Sequence, residues 1–189
     1  MARVLILHGA SSSGKSTLIQ AIRAQSPVPL LHLSFDHLRD SHALDLAAFT
    51  SKGADWQSHR SKIFSGLHRA VAGFAEAGND LILEHILDSP GWHNELQKLL
   101  ADHAIFFVCL HTSLPQLEAR EAARGNRAAG SAKADAAHIH GGLTYDLELS
   151  GEDAPDINAR KLLRHWATHT SPSAFFTGRA NGQTNGQTR

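Results

Sequence analysis

Near the amino terminus, Gly9-Ala10-Ser11-Ser12-Ser13-Gly14-Lys15-Ser16 reads G-x-x-x-x-G-K-[ST], and Thr17 follows. These residues come after an aliphatic run at 4–7 and open a stretch of helical periodicity, the setting this pattern needs in order to cradle phosphate. Backbone N–H groups of the loop and of the helix N-terminus converge on phosphate oxygens, and Gly9 and Gly14 permit the close turn. Lys15 brings a mobile positive charge to β- and γ-phosphates, and the Ser16 hydroxyl is a ligand for Mg²⁺. Residues 9–17 are therefore the expected site for ATP with Mg²⁺.

Three further groups have the right chemistry for phosphoryl transfer. Asp36 ends a second apolar run on the same expected sheet edge, where a carboxylate accepts a proton from a substrate hydroxyl. The same position also suits a helix N-cap for the residues that follow, and residue type alone does not separate the two roles. Glu84 ends a third run in the manner of a Walker B acid that holds Mg²⁺-bound water, or else it pairs with a nearby cation. Arg120, Arg124 and Arg127 lie beside Gly125 and Gly130. They form either a hinged lid that neutralises phosphate charge on closure or a solvated helix face.

The elements that must position these groups alternate along the chain. Apolar runs at 4–7, 30–33, 81–84 and 105–110 read as strands, and the first lacks polar alternation, as a strand covered on both faces does. Residues 143–149 alternate with period two and complete a five-stranded set. Helices are expected at 15–25, at 56–77 with Ile63, Phe64, Leu67, Val71 and Phe74 as one apolar stripe, at 92–101, at 115–124 and at 155–166. Strand and helix in alternation predict a three-layer α/β fold, a mainly parallel sheet with helices on both faces and its site at the carboxyl ends of the strands. Residues 1–168 are expected to form one domain with a short lid at about 120–138. The Ser-, Asn-, Gly- and Gln-rich stretch 169–189 reads as a disordered tail.

Composition excludes several functions. Eighteen Lys and Arg balance eighteen Asp and Glu, so no long-range field gathers nucleic acid or anionic membrane. The 14 histidines show no ligand spacing, and most are expected at surfaces and helix ends rather than on metal. A lone Cys109 sits in an apolar run, and the leading aliphatic stretch is too short for a signal core or a membrane span. A cytoplasmic location is expected.

Taken together, the segments Leu5 to Ser16, Phe35-Asp36, Arg120-Glu-Ala-Ala-Arg-Gly-Asn-Arg-Ala-Ala-Gly130 and His140-Gly-Gly-Leu-Thr-Tyr-Asp-Leu-Glu148 resemble the chloramphenicol phosphotransferase-like family over residues 3 to about 168. The resemblance implies a P-loop kinase fold and ATP-dependent transfer of the γ-phosphoryl group to a hydroxyl of a small molecule, an antibiotic such as chloramphenicol among them. It also implies that Asp36 activates the acceptor and that lid arginines grip the phosphates. The family's acidic pair after the third strand is Glu84-His85 here, and its two loop glycines are Gly9-Ala10, departures that bear on the acceptor. The competing readings are a nucleoside or nucleotide-sugar kinase and a nucleotide-driven switch without an acceptor.

Overall fold

The computed structural model describes residues 1–124, 130–170 and 172–177. Its elements run β1 (Arg3–His8), α1 (Lys15–Gln25), β2 (Leu31–Ser34), α2 (Phe35–Asp40), α3 (Leu46–Ser51), α4 (Trp56–Glu76) and β3 (Leu81–His85). They continue with α5 (Trp92–Leu99), β4 (Ala104–His111), α6 (Leu114–Arg124), α7 (Ser131–His138), β5 (Leu147–Ser150), α8 (Pro155–Thr168) and α9 (Ala174–Thr177). The strands form one parallel sheet in the order β2-β3-β1-β4-β5.

The two faces of β1 feed two separate cores, which is why its sequence shows no alternation. Leu5 and Leu7 pack with Leu18, Ile19 and Ile22 of α1 and with Leu162 and Trp166 of α8. Val4 and Ile6 pack with Val71 of α4, Leu96 of α5 and Phe175 of α9. Helix α4 starts where the Asp55 carboxylate accepts from the Gln57 and Ser58 N–H groups, and it ends before Gly78 at φ 88°. Phe74, assigned to its apolar stripe, faces solvent instead at 43% exposure, because the buried stripe runs through Phe64, Leu67, His68, Val71, Ala72 and Ala75 and leaves position 74 to one side.

Two further sequence expectations are corrected. The fifth strand covers Leu147–Ser150 and not 143–149. Asp146 ends the pairing: its N–H donates to the Phe107 carbonyl at 2.8 Å while its carboxylate accepts the Phe107 N–H at 2.7 Å, so the side chain takes a bond that a neighbouring strand would have made. The same carboxylate accepts from the Ser173 hydroxyl and from Ala174 N–H at 2.7 Å. Consequently the stretch from 169 is not all tail. Helix α9 buries Phe175 against Phe107 and His93, and the Phe175 carbonyl accepts from His93 Nε2 at 2.8 Å and Gln97 Nε2 at 2.6 Å. Residues 178–189 of the expected tail lie outside the described residues.

Four histidines are exceptions to the surface and helix-end placement expected of most of them. His8, His68, His85 and His93 are buried, all on the α4–α5 side of the sheet. Burial pushes His8 well below its ordinary value and His85 down to about 3, with neighbouring histidines acting in the same direction; burial also lowers His68 and His93. These rings are neutral when folded, whereas in the unfolded chain each takes up a proton below about pH 6.5. Their contribution to stability is therefore complete above that pH and is lost as pH falls. Denaturation midpoints measured from pH 7.5 to 5.5 should fall, with a slope approaching about 1.4 kcal/mol per pH unit for each such ring. His85→Leu should flatten that slope; an unchanged slope in the variant would contradict the burial of a neutral His85.

Candidate active site

The carboxyl ends of β1, β2 and β3 converge on the loop at 9–14. Gly9 is required by contact: a Cβ there would lie 2.8 Å from the Leu110 carbonyl oxygen and 3.0 Å from Ser13 Oγ. Gly14 at φ 101° turns the chain into α1, and Ser12 takes the left-handed conformation at φ 63°. The first turn of α1 thus leaves its N–H groups directed at the loop, with no side-chain cap. The Ser12 and Ser13 hydroxyls are buried and have no hydrogen-bond partner among the described residues. A loop of clustered N–H groups and unmatched hydroxyls fits an oxyanion ligand.

Lys15 is buried at the base of this loop, its ammonium donating to the Gly9 and Ala10 carbonyls at 2.9 and 2.8 Å. The Ser16 hydroxyl donates to Glu84 at 3.0 and 3.2 Å, and His32 Nε2 lies 3.2 Å from the same carboxylate. Burial alone would push the Glu84 carboxyl up. The His32 hydrogen bond, the Lys15 charge and the Ser16 hydroxyl more than offset it and hold Glu84 below its ordinary value. An ionised carboxylate beside a hydroxyl is a hard oxygen pair of the kind Mg²⁺ takes.

Asp36 lies in the first turn of α2, where the cap is supplied by Ser34, whose Oγ accepts the His37 N–H at 3.2 Å. The helix-cap reading of Asp36 is thereby overturned. Its carboxylate pairs with Arg39 one turn on, at 3.0 Å, and borders a cavity of about 560 Å³. The cavity runs from the loop and Glu84 past Asp36 to an apolar wall of Phe35, Trp56 and Phe64. Arg60 enters from α4, paired with Asp88 at 2.7 Å and laid over the Trp92 and Phe64 rings at 4.5 and 5.1 Å. His85 lines the same space and heads a buried chain in which its Nε2 meets His68 Nε2 at 2.9 Å and His68 Nδ1 meets Glu95 at 2.8 Å.

A second cavity of about 470 Å³ lies on the other side of the loop, bounded by Ser13, Gly14, Thr17, Arg120, Gly151 and Asn158. Arg120 is braced there, donating to the Ser13 carbonyl at 2.9 Å and the Gly151 carbonyl at 2.8 Å. Arg124 closes α6, and Arg127 lies outside the described residues. The expected lid at 120–138 contains α7, from which Asp135 reaches the loop and accepts the Ser11 N–H at 2.9 Å. Sequence reasoning missed Arg39, Arg60, Asp88 and Asp135. The Arg60–Asp88 and Ser11–Asp135 pairs are 28 and 124 residues apart, and no spacing rule joins them.

A sequence model of the family described as chloramphenicol phosphotransferase-like protein matches residues 2–167. A Mycobacterium tuberculosis protein provisionally named an O-phosphotransferase is 24% identical over 193 residues, covering 92% of this chain and 86% of that protein. Among solved structures, the APS kinase of Mycobacterium tuberculosis in complex with AMPPNP and APS superposes with a TM-score of 0.64 at 17% identity, covering 88% of this chain and 98% of that one. A gluconokinase from Sinorhizobium meliloti gives 0.59 at 16% identity, covering 87% and 91%. At these identities the solved structures establish the shared fold.

The contact at Gly9 makes a sharp test of the loop geometry. Gly9→Ala should force the loop away from β4, cost about 1–3 kcal/mol of stability and weaken nucleotide binding measured by calorimetry. Wild-type stability and affinity in that variant would show that the loop does not depend on this approach.

Proposed function

Because the chain belongs to the chloramphenicol phosphotransferase-like family, a kinase-like family of O-phosphotransferases, we propose that it moves the γ-phosphoryl group of ATP to a hydroxyl of a small uncharged molecule with an apolar body. The observation that carries this reading is the cavity that joins the loop and Glu84 to Asp36 and to the wall of Phe35, Trp56 and Phe64. Both guanidinium groups in it are already matched, Arg39 by Asp36 and Asp40 and Arg60 by Asp88. An anionic acceptor would find no unmatched charge from these two side chains, which counts against a nucleotide-sugar and favours an aryl- or alkyl-bearing alcohol, the class that includes chloramphenicol.

In this reading the loop N–H groups of 10–17 hold the triphosphate, and Lys15 leaves the Gly9 and Ala10 carbonyls for the β- and γ-phosphate oxygens. Asp135 gives up the Ser11 N–H to the incoming phosphate, which moves α7 and makes residues 120–138 the mobile cover. The cavity bounded by Thr17, Arg120 and Asn158 receives the base side of the nucleotide. Ser16, with Glu84 behind it, would hold Mg²⁺, which when bound neutralises charge on the phosphate oxygens. Asp36 takes the proton of the acceptor hydroxyl as its oxygen attacks the γ-phosphorus, and the bond from phosphorus to the bridging oxygen breaks to release ADP. His85, neutral and buried, offers the acceptor a hydrogen bond without a charge, consistent with an uncharged ligand. Arg124 and Arg127 are assigned to the transferring phosphoryl group as the cover closes.

Incubation with Mg·ATP and a panel of aryl alcohols including chloramphenicol, sugars, nucleosides and nucleotides, followed by mass spectrometry, should show gain of one phosphoryl group on an uncharged alcohol. Preference for an anionic acceptor would overturn the assignment. With that acceptor, Asp36→Asn should keep ATP affinity and lose turnover by about 10²–10⁴-fold. Lys15→Ala should lose about 10²–10³-fold in turnover as well as nucleotide affinity. Asp135→Asn should tighten ATP binding several-fold by removing a competing negative charge; weaker binding would mean that Asp135 supports the loop rather than guards it.

A further inference from the structure

Beyond the nucleotide loop, at the carboxyl end of β4, Cys109, His111 and His140 each bring one donor atom to within 4.8 Å of the other two. Cys109 and His111 are two residues apart on one strand and so share a face of the sheet. His140 arrives from the loop between α7 and β5. Cys109 Sγ and His140 Nδ1 are 3.5 Å apart. A tetrahedral ion with a metal–sulfur bond of about 2.3 Å and a metal–nitrogen bond of about 2.0–2.1 Å holds its S and N ligands about 3.5–3.6 Å apart. The pair already stands at that spacing.

The proton positions suit the same purpose. His140 Nδ1 faces the Tyr145 hydroxyl at 2.9 Å as well as the Cys109 thiol. Both neighbours have a proton to donate, so in the tautomer protonated at Nε2 this nitrogen accepts from them and its lone pair faces the cluster. His111 Nε2 lies 2.6 Å from Glu148 on β5. A carboxylate on one ring nitrogen is the usual arrangement behind a metal-bound imidazole, and it leaves Nδ1 of the neutral ring as the ligand atom.

We propose that Cys109, His111 and His140 form a binding site for a thiophilic divalent cation of the Zn²⁺ class, with Glu148 orienting His111. On binding, the Cys109 thiol releases its proton to solvent as the sulfur–metal bond forms, and the Tyr145 hydroxyl yields His140 Nδ1 to the ion. The fourth position is left for water. Thiolate and imidazole donors select such ions over Mg²⁺, which separates this site from the oxygen donors Ser16 and Glu84. The bound ion joins β4 directly to the loop that leads out of α7, so it tethers the element that carries Asp135.

Co²⁺ titrated into the full chain after chelator treatment tests the site. Cys109 is the only cysteine in the sequence, so any thiolate-to-Co²⁺ charge-transfer band in the near ultraviolet reports this residue alone. One equivalent should develop that band together with the visible bands of a tetrahedral ion; Zn²⁺ should abolish both, and excess Mg²⁺ should not. Cys109→Ser should remove the near-ultraviolet band. His111→Gln and His140→Gln should each weaken Co²⁺ binding by at least about 100-fold and Glu148→Gln by about 10–100-fold, with unchanged far-ultraviolet circular dichroism. Should the buried Cys109→Ser variant misfold, the half-exposed His111 decides the outcome. Folded wild-type protein that binds no Co²⁺, that binds it without the thiolate band, or whose band is indifferent to both histidine substitutions would overturn the site.

Discussion

Strand β1 admits no solvent on either face, and everything at the site follows from where such a strand must stop. Val4 to Leu7 are fully buried between the two cores, with β3 on one side and β4 on the other. When the chain leaves that position it emerges at the middle of the carboxyl edge, and it has to turn at once to start a helix that covers one face. Gly9 permits the turn because no Cβ fits beside the Leu110 carbonyl. The loop is then clamped from outside by Arg120, which binds the Ser13 and Gly151 carbonyls and so links the loop to the chain segment following β5. Amide groups that would be costly to leave unmatched in a core are here gathered at an open edge, a setting that fits an oxyanion.

Charge around the loop is handled by local matching. Glu84 stays ionised in a largely buried place because Ser16, His32 and Lys15 surround it. Arg39 and Arg60 are matched by carboxylates from their own or neighbouring elements. The buried histidines are kept neutral, and the Glu95–His68–His85 chain carries hydrogen bonds into the cavity without placing net charge there. The edge therefore has one region specialised for anions, at the loop, next to one with little unbalanced charge. That contrast is the physical basis on which the proposed function separates nucleotide from acceptor.

The same edge extends across β4 and β5, where Cys109, Glu148 and His111 stand in adjacent register positions beneath the loop that carries His140 and Tyr145. Helix α7 lies between the two regions, with Asp135 on the nucleotide loop and His140 just beyond its carboxyl end. A change in the position of this one short element touches both. Asp146 and α9 act at greater depth: one carboxylate ends a strand, caps a helix and pins Phe175 into the core, so a polar side chain decides how far the domain extends.

What the sequence determined by itself is whatever depends on neighbours along the chain. The 9–16 loop pattern specifies its own turn and helix start, and buried strands such as 4–7 and 105–110 announce themselves by unbroken apolar runs, because both faces are covered wherever they sit in the sheet. Glu84 was legible as a strand-end acid for the same reason, whereas Asp36, expected to end the second strand, lies two residues past β2 in the first turn of α2. Tertiary structure alone decided the order of the strands and every pairing across them: Ser16 with Glu84 over 68 residues, Arg60 with Asp88 over 28, Cys109 with His140 over 31. It also decided that Ser34 rather than Asp36 caps α2, and that four residues near the carboxyl terminus form a helix with a buried Phe175. A helix of one turn has no period to read, and a hydrogen bond between distant segments leaves no trace in local spacing, since its energy depends on where the sheet brings the two partners.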